Sequence, residues 1–253
     1  MDRVDELLAS YPRVRPPMTE AHRDIYTQEY KLNRTGAGTL QRAVQFLESW
    51  MHHKVAASNN TGRILEIGAG SLNHVAYEKN AETYDCVEPF VELFADSSHR
   101  QEIRHFYSDI AEIPEDARYQ TILSVAVLEH VLDLPEVVAR SGLLLAPHGA
   151  FRAGIPSEGG LLWGLSWRMS TGIAYRLRTG LDYKSLMRHE HVNTANEIVS
   201  VVRHFFGSVS IRRFPLPALH MSVYTFLEAN NPKCDRCREF LKSREIYPAY
   251  PAP

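Results

Sequence analysis

The stretch Arg63-Ile64-Leu65-Glu66-Ile67-Gly68-Ala69-Gly70-Ser71 decides how the rest of the chain is read. Residues 63–67 have the texture of a buried strand, and they run straight into two glycines one residue apart. Ser71 then offers a helix start. Glycine is the residue for a sharp turn and for close approach of a ligand to the backbone. In open parallel sheets such a turn lies where ligands bind, beyond the carboxyl ends of the strands.

Outward from this turn, short apolar runs alternate with helical stretches. Further strands are expected at about 83–88, 104–107, 120–125 and 149–155, with a clear helical stretch at about 134–145. Such alternation argues for βαβ units and a parallel sheet. A helix at about 194–206, capped by Asn193 or Thr194, precedes two last strands at about 208–214 and 221–228. The connection between those strands is too short for a parallel crossover, so they must form an antiparallel hairpin. The expected fold is therefore α/β, a Rossmann-like doubly wound sheet of seven mostly parallel strands closed by that hairpin. Residues 1–60 read as N-terminal helices forming a cap, 61–231 as the core, and 232–253 as a tail. Residues 157–193 form a long insertion after the fifth strand, where a substrate side is commonly built.

Bulk composition narrows the classes. Over 253 residues, 28 basic side chains meet 30 acidic ones, for a net charge of −2. That balance carries no footprint for nucleic acid. No apolar run approaches a membrane span, the N-terminus does not read as a signal peptide, and a reducing cytoplasm is the expected location. Three cysteines make no disulfide framework. Cys234 and Cys237 form a lone C-x-x-C that reads as a surface turn, because a closed zinc site needs four ligands.

Acidic residues follow the glycine loop at telling places. Glu88 ends the second strand, from which a carboxylate can accept ribose hydroxyls. Asp109 follows the third strand, and Glu66 precedes the loop itself. Three carboxylates at adjacent strand ends suit a cationic cofactor such as a sulfonium and ill suit a pyrophosphate. In Glu66-Ile67-Gly68-Ala69-Gly70, Glu88-Pro89, Asp109-Ile110 and Ser124-Val125-Ala126-Val127-Leu128-Glu129-His130-Val131, the chain resembles the class I S-adenosylmethionine-dependent methyltransferases. The last block is similar to one in small-molecule enzymes of the ubiquinone-biosynthesis type, and the resemblance covers about residues 60–230. It implies S-adenosylmethionine as cofactor and S-adenosylhomocysteine as product. It places Glu66, Gly68 and Gly70 at the methionine end, Glu88 at the ribose, Asp109 and Ile110 at the adenine, and Ala126 at a backbone contact, with Ala69 and Pro89 also among the cofactor-binding residues. In relatives an N-terminal helix closes over the cofactor, which makes Tyr26, Tyr30 and Arg34 candidate lid residues. Read as plain structure, Glu88 and Asp109 would be helix caps, and Glu66 an exposed strand-end charge.

Two rivals share the pattern. An NAD(P)-dependent oxidoreductase has the same loop and distal carboxylate. Its fingerprint wants a small residue where Asn73 stands, and no tyrosine here is followed by lysine four positions on. A non-catalytic methyltransferase-like binding module is the other rival, since fold does not imply function.

Methyl transfer to a hydroxyl gains from a general base, and histidine suits neutral pH. His130, after the fourth strand, and His189 and His191, flanking Glu190, are the candidates. If the segment is extended, His189 and His191 point the same way. With Glu129 or Glu190 they have the donor types of a metal site, but spacing identifies no facing ligands and no metal is expected. The insertion interleaves Trp163, Trp167, Tyr175 and Tyr183 with Arg168, Arg176, Arg178, Lys184 and Arg188. That mixture suits either a cap burying its aromatics or an anionic small-molecule acceptor, for example a nucleotide-linked or lipid-linked sugar. The overall pattern is similar to methyltransferases of bacterial surface-glycan and secondary-metabolite pathways.

Overall fold

Along β1 (Gly62–Ile67) successive side chains leave opposite faces of the sheet, and each face has its own core. Leu65 joins a cluster with Ile122 and Phe151, whereas Ile64 joins one with Leu123 and Cys86. This computed structural model describes residues 3–23, 25, 49–56 and 62–246. The proposed lid residues Tyr26, Tyr30 and Arg34 lie outside them.

The other strands are β2 (Ala81–Val87), β3 (Ile103–Tyr107), β4 (Tyr119–Val125), β5 (Leu145–Pro156), β6 (Phe206–Pro215) and β7 (Ser222–Pro232). They make one seven-stranded sheet in the order β3-β2-β1-β4-β5-β7-β6. Pairing is parallel from β3 to β5 and antiparallel for β5–β7 and β6–β7. The mostly parallel sheet and its closing hairpin are therefore as the sequence pattern required. The strand order reverses between β1 and β4, which places a ligand crevice at their carboxyl ends.

One face is covered by α2 (Leu134–Leu144), α6 (Ala195–Phe205) and α7 (Cys234–Ile246). The short α1 (Arg3–Ala9) packs on α6. Helix α6 buries Ile198, Val199, Val201, Val202 and Phe205, and Thr194 caps it in a reciprocal box with Glu197. Thr194 is thus the cap; Asn193 is buried and serves another purpose. The opposite face carries helical residues 49–55, packed so closely on β5 that a Cβ at Gly154 would lie 3.2 Å from both Met51 and Val55. Between β5 and α6 come α3 (Leu161–Trp167), a π-helical turn (Arg168–Gly172), α4 (Ile173–Thr179) and α5 (Tyr183–Glu190). Among the described residues no helix is long and apolar enough to cross a membrane.

One expectation fails beside the glycine loop. Ser71 starts no α-helix: turns lead only to a 3₁₀ turn at Val75–Tyr77. Leu72, fully buried, is held at φ 66°, and a left-handed residue there cannot enter a right-handed helix.

Candidate cofactor and acceptor site

The glycine loop has the conformation that its composition implied. Gly68 and Gly70 sit at φ 72° and 51°, where a side chain is strained. A Cβ on Gly68 would collide with the Val127 side chain, so this loop and the segment after β4 touch. At Gly70 a Cβ would meet no heavy atom within 4 Å, which leaves room for a ligand against bare backbone. Glu88 faces the same place. Its carboxylate accepts from Gly70 N at 2.8 Å and Phe90 N at 3.0 Å, joining the ends of β1 and β2. Pro89 is exposed beside it, and Ala69 and Ile110 are buried.

Glu66 is buried rather than an exposed strand-end charge, with only 3% of its surface accessible. Tyr84 on β2 donates to its Oε2 at 2.8 Å. Burial pushes the Glu66 carboxyl up to about 7, against the opposing pull of His74 and the Tyr84 hydroxyl. Behind it His74 bonds Glu78 at 3.3 Å and His52 at 2.9 Å, and burial pushes His52 down to about 4. Asp109 is exposed and accepts from Ala111 N at 2.7 Å, capping a 3₁₀ turn at the end of β3. It stands where an adenine contact was expected, and it is also the cap that the plain structural alternative required. Ala126 takes φ 55° directly after β4, its N–H donating to Gly154 at 2.7 Å.

The strand-end segment continues into a cluster of histidines and carboxylates. His130 and His191 meet edge-on with ring centroids 4.8 Å apart. His130 Nδ1 bonds the Glu190 carbonyl at 2.8 Å, and His191 Nδ1 bonds Glu158 Oε2 at 3.1 Å. A carbonyl and an ionised carboxylate only accept, so each Nδ1 carries a proton and each Nε2 is the atom left to gain or lose one. Burial alone would raise the Glu158 carboxyl, but the bond and charge of His191, with the Trp163 indole N–H, hold it below its ordinary value. Trp163 also stacks on the His191 ring. Next to the pair, Glu129 is 2% exposed, and burial pushes it up to about 6. Its Oε2 has no hydrogen-bond partner among the described residues. Ligand atoms of Glu129, His130 and His191 lie within 4.8 Å of one another, a group able to hold a metal ion.

His189 does not join them. The segment is not extended there: His189 lies in the last turn of α5 and His191 just beyond it. The helical offset turns the two rings apart, and His189 Nδ1 bonds the Pro16 carbonyl at 2.7 Å. Two segments distant in sequence are pinned to make the cluster. Val192 N and Asn193 N donate to the Glu129 carbonyl, and Asn193 Nδ2 reaches the carbonyls of Leu128 (2.9 Å) and Val131 (2.7 Å). Tyr11 donates to Asn193 Oδ1 at 2.7 Å, and Arg15 spans the carbonyls of His130 and His189.

A family profile described as a methyltransferase domain matches residues 34–193, more than half of the chain. The chain belongs to the class I S-adenosylmethionine-dependent methyltransferases. No curated protein matches the sequence. Solved structures of like fold include the N-methyltransferase NodS from Bradyrhizobium japonicum WM9 in complex with S-adenosylhomocysteine. It is 13% identical with a TM-score of 0.53, over 92% of this chain and 100% of that one. A DhpI complex with S-adenosylhomocysteine is 12% identical with a TM-score of 0.54, over 91% of this chain and 97% of the other. A possible histamine N-methyltransferase from Thermotoga maritima is 14% identical with a TM-score of 0.53, over 75% and 96%. These likenesses concern the fold, and none narrows this methyltransferase to the ubiquinone-biosynthesis type.

Glu158 is not among the residues that the sequence singled out. Its place, two residues beyond β5 at the carboxyl edge of the sheet, was the available signal. Tyr84, the partner of Glu66, carried none, since a tyrosine in a core strand reads as packing.

Proposed function

We propose that this methyltransferase acts on an oxygen of a small-molecule acceptor, with His191 as general base. The observation that carries the reading is the Glu158–His191 bond, which fixes the tautomer and leaves Nε2 ready to take a proton. Bound S-adenosylmethionine supplies an electrophilic sulfonium methyl. Glu66, Gly68, Ala69, Gly70, Glu88, Pro89, Asp109, Ile110 and Ala126 would hold it, with Tyr30 and Arg34 over it. The Gly68–Val127 contact sets that site beside the segment bearing His130. Residues 61–231 are then the catalytic core and 1–60 its cap, with 232–253 adding the helix α7 that packs on that core. The insertion at 157–193 is the acceptor side, where exposed Lys184 and Arg188 on α5 favour an anionic acceptor such as a nucleotide- or lipid-linked sugar.

The test is a screen of hydroxyl-bearing sugars and phenols for S-adenosylhomocysteine release, repeated with His191→Ala. Turnover should fall by about 10²–10⁴-fold while cofactor affinity stays put. Unchanged turnover would remove the base assignment. The unpartnered Glu129 Oε2 favours a second reading, in which Glu129, His130 and His191 hold a divalent cation that positions the acceptor oxygen. Chelation separates the two, because a base needs no ion.

A further inference from the structure

The insertion carries a surface that methyl transfer does not use. Helix α3, the π turn and α4 run on without a break in right-handed backbone from Leu161 to Thr179, where Gly180 ends them at φ 75°. Five large apolar side chains stand out from this rod at every fourth residue. They are Leu161, Leu165, Met169, Ile173 and Leu177, accessible to 62%, 45%, 72%, 51% and 83% among the described residues. In an α-helix a four-residue spacing drifts by about 40° per step. The wider π turn at Arg168–Gly172 rotates less per residue and winds that drift back, so the five stay on one stripe.

The inner side of the rod is already occupied. Tyr175 is buried, Tyr183 packs on both Trp167 and Tyr175, and Trp163 packs on Tyr224 and His191. The stripe is thus a second apolar face, of a kind that marks interaction sites. Its flanks are of one sign. From Gly159 to Leu181 there is no acidic residue, and Arg168, Arg176 and Arg178 are all exposed. Arg176 and Arg178 bracket Leu177 at about 100° to either side, so their stems can lie along the apolar stripe while the guanidiniums reach outward.

We propose that this stripe docks the methyltransferase on an anionic lipid surface. The apolar side chains enter the headgroup–acyl boundary, and the arginines pair with lipid phosphates. A protein partner would need acidic groups matching both flanks, whereas an anionic bilayer offers them at every azimuth. Because Trp163 lies on the inner face against His191 and Glu158, docking brings the acceptor side to the membrane interface.

The experiment is co-sedimentation of the full chain with vesicles of phosphatidylcholine alone or with about one-third phosphatidylglycerol. The protein should bind the anionic vesicles, more weakly in high salt, and leave the neutral ones largely alone. The double variant Met169→Gln/Leu177→Gln should lower partition about a hundredfold. Arg176→Ala/Arg178→Ala should lower it roughly tenfold or more. Both should keep the melting temperature and the affinity for S-adenosylmethionine, a readout that reports separately on the catalytic reading. The proposal is overturned if the wild type binds neither vesicle, or if the Gln variant binds like the wild type. Equal binding to both vesicle types removes the anionic partner. A dimer dissolved by Leu177→Gln assigns the stripe to a second copy. Protection of Leu177→Cys from a thiol reagent in the free protein assigns it to another part of this chain.

Discussion

Replacing Gly68 and Gly70 by alanine, one at a time, separates what holds the loop from what the loop holds. Gly68 lies at φ 72°, and an added Cβ would sit 2.5 Å from Val127 Cγ2, 2.9 Å from its Cβ, and closer still to Cγ1. Left-handed backbone costs alanine about 1–2 kcal/mol, and forcing an overlap in a packed site adds about 1–3 kcal/mol. Gly68→Ala should therefore lose about 2–5 kcal/mol of stability, a fall in melting temperature of roughly 5–15 °C. Gly70, at φ 51° with nothing within 4 Å of the added carbon, should lose only the backbone part, about 1–2 kcal/mol. Its new methyl would, however, enter the open space against this backbone, where the cofactor is proposed to lie. Affinity for S-adenosylmethionine should drop about tenfold or more, read by calorimetric titration.

Trimming Val127 tests the steric part on its own. In a double-mutant cycle, Val127→Ala combined with Gly68→Ala should show about 1–3 kcal/mol of favourable coupling, because the smaller side chain admits the new Cβ. Two results would refute this reasoning: a Gly68→Ala protein no less stable than Gly70→Ala, or a Gly70→Ala protein that binds the cofactor like the wild type.

Glu88→Gln keeps the shape but removes charge from an acceptor shared by Gly70 N and Phe90 N; cofactor affinity should fall about 10–100-fold, measured by the same titration. Glu66, with its folded pKa raised to about 7 by burial, holds its proton in the native state over pH 4.5–7, where the unfolded chain has released it. That contribution to stability is full below pH 4.5 and is lost as pH rises through 7, so Glu66→Gln should flatten the decline in denaturant midpoint over this window. Glu129, raised to about 6, adds a smaller slope of the same sign that this variant keeps. Binding of a sulfonium beside Glu66 should expel the proton near pH 6.5, seen as a buffer-dependent binding enthalpy; a buffer-independent one would place the cation elsewhere. For the acceptor side, His191→Ala should remove most turnover and EDTA none of it; loss of activity on chelation, restored by a divalent ion, would transfer the role to the Glu129–His130–His191 group.

Local pattern carried the sheet and the glycine turn, because both rest on neighbours in sequence. Leu65 and Ile64 alternate between faces for the same reason that a period of two is visible in the chain. Gly68 and Gly70 are needed by the backbone itself, so their identity announces the turn. The errors begin where a residue takes its role from a distant partner. Ser71 looked like a helix start because nothing nearby shows that Leu72 will be drawn into the core against helix geometry. His189 and His191 looked equivalent because parity holds only in extended chain, and α5 runs as far as Glu190.

The histidine cluster was the least legible part for a related reason. Glu158 and His191 are 33 positions apart, and the frame that brings the insertion onto Glu129 depends on Asn193 reaching back across 65 and on Tyr11 reaching forward across 182. None of these residues has an unusual type or spacing, and a buried asparagine looks like a helix cap until its three partners are known. The glycine loop is thus written in backbone requirements, φ 72° at Gly68 and 51° at Gly70. The histidine cluster is written in tertiary hydrogen bonds, which can be exchanged for others without disturbing the sheet. The histidine cluster can then diverge while the glycine loop stays readable, because changing Asn193 or Glu158 moves the histidines and leaves Gly68, Gly70 and Glu88 where they are.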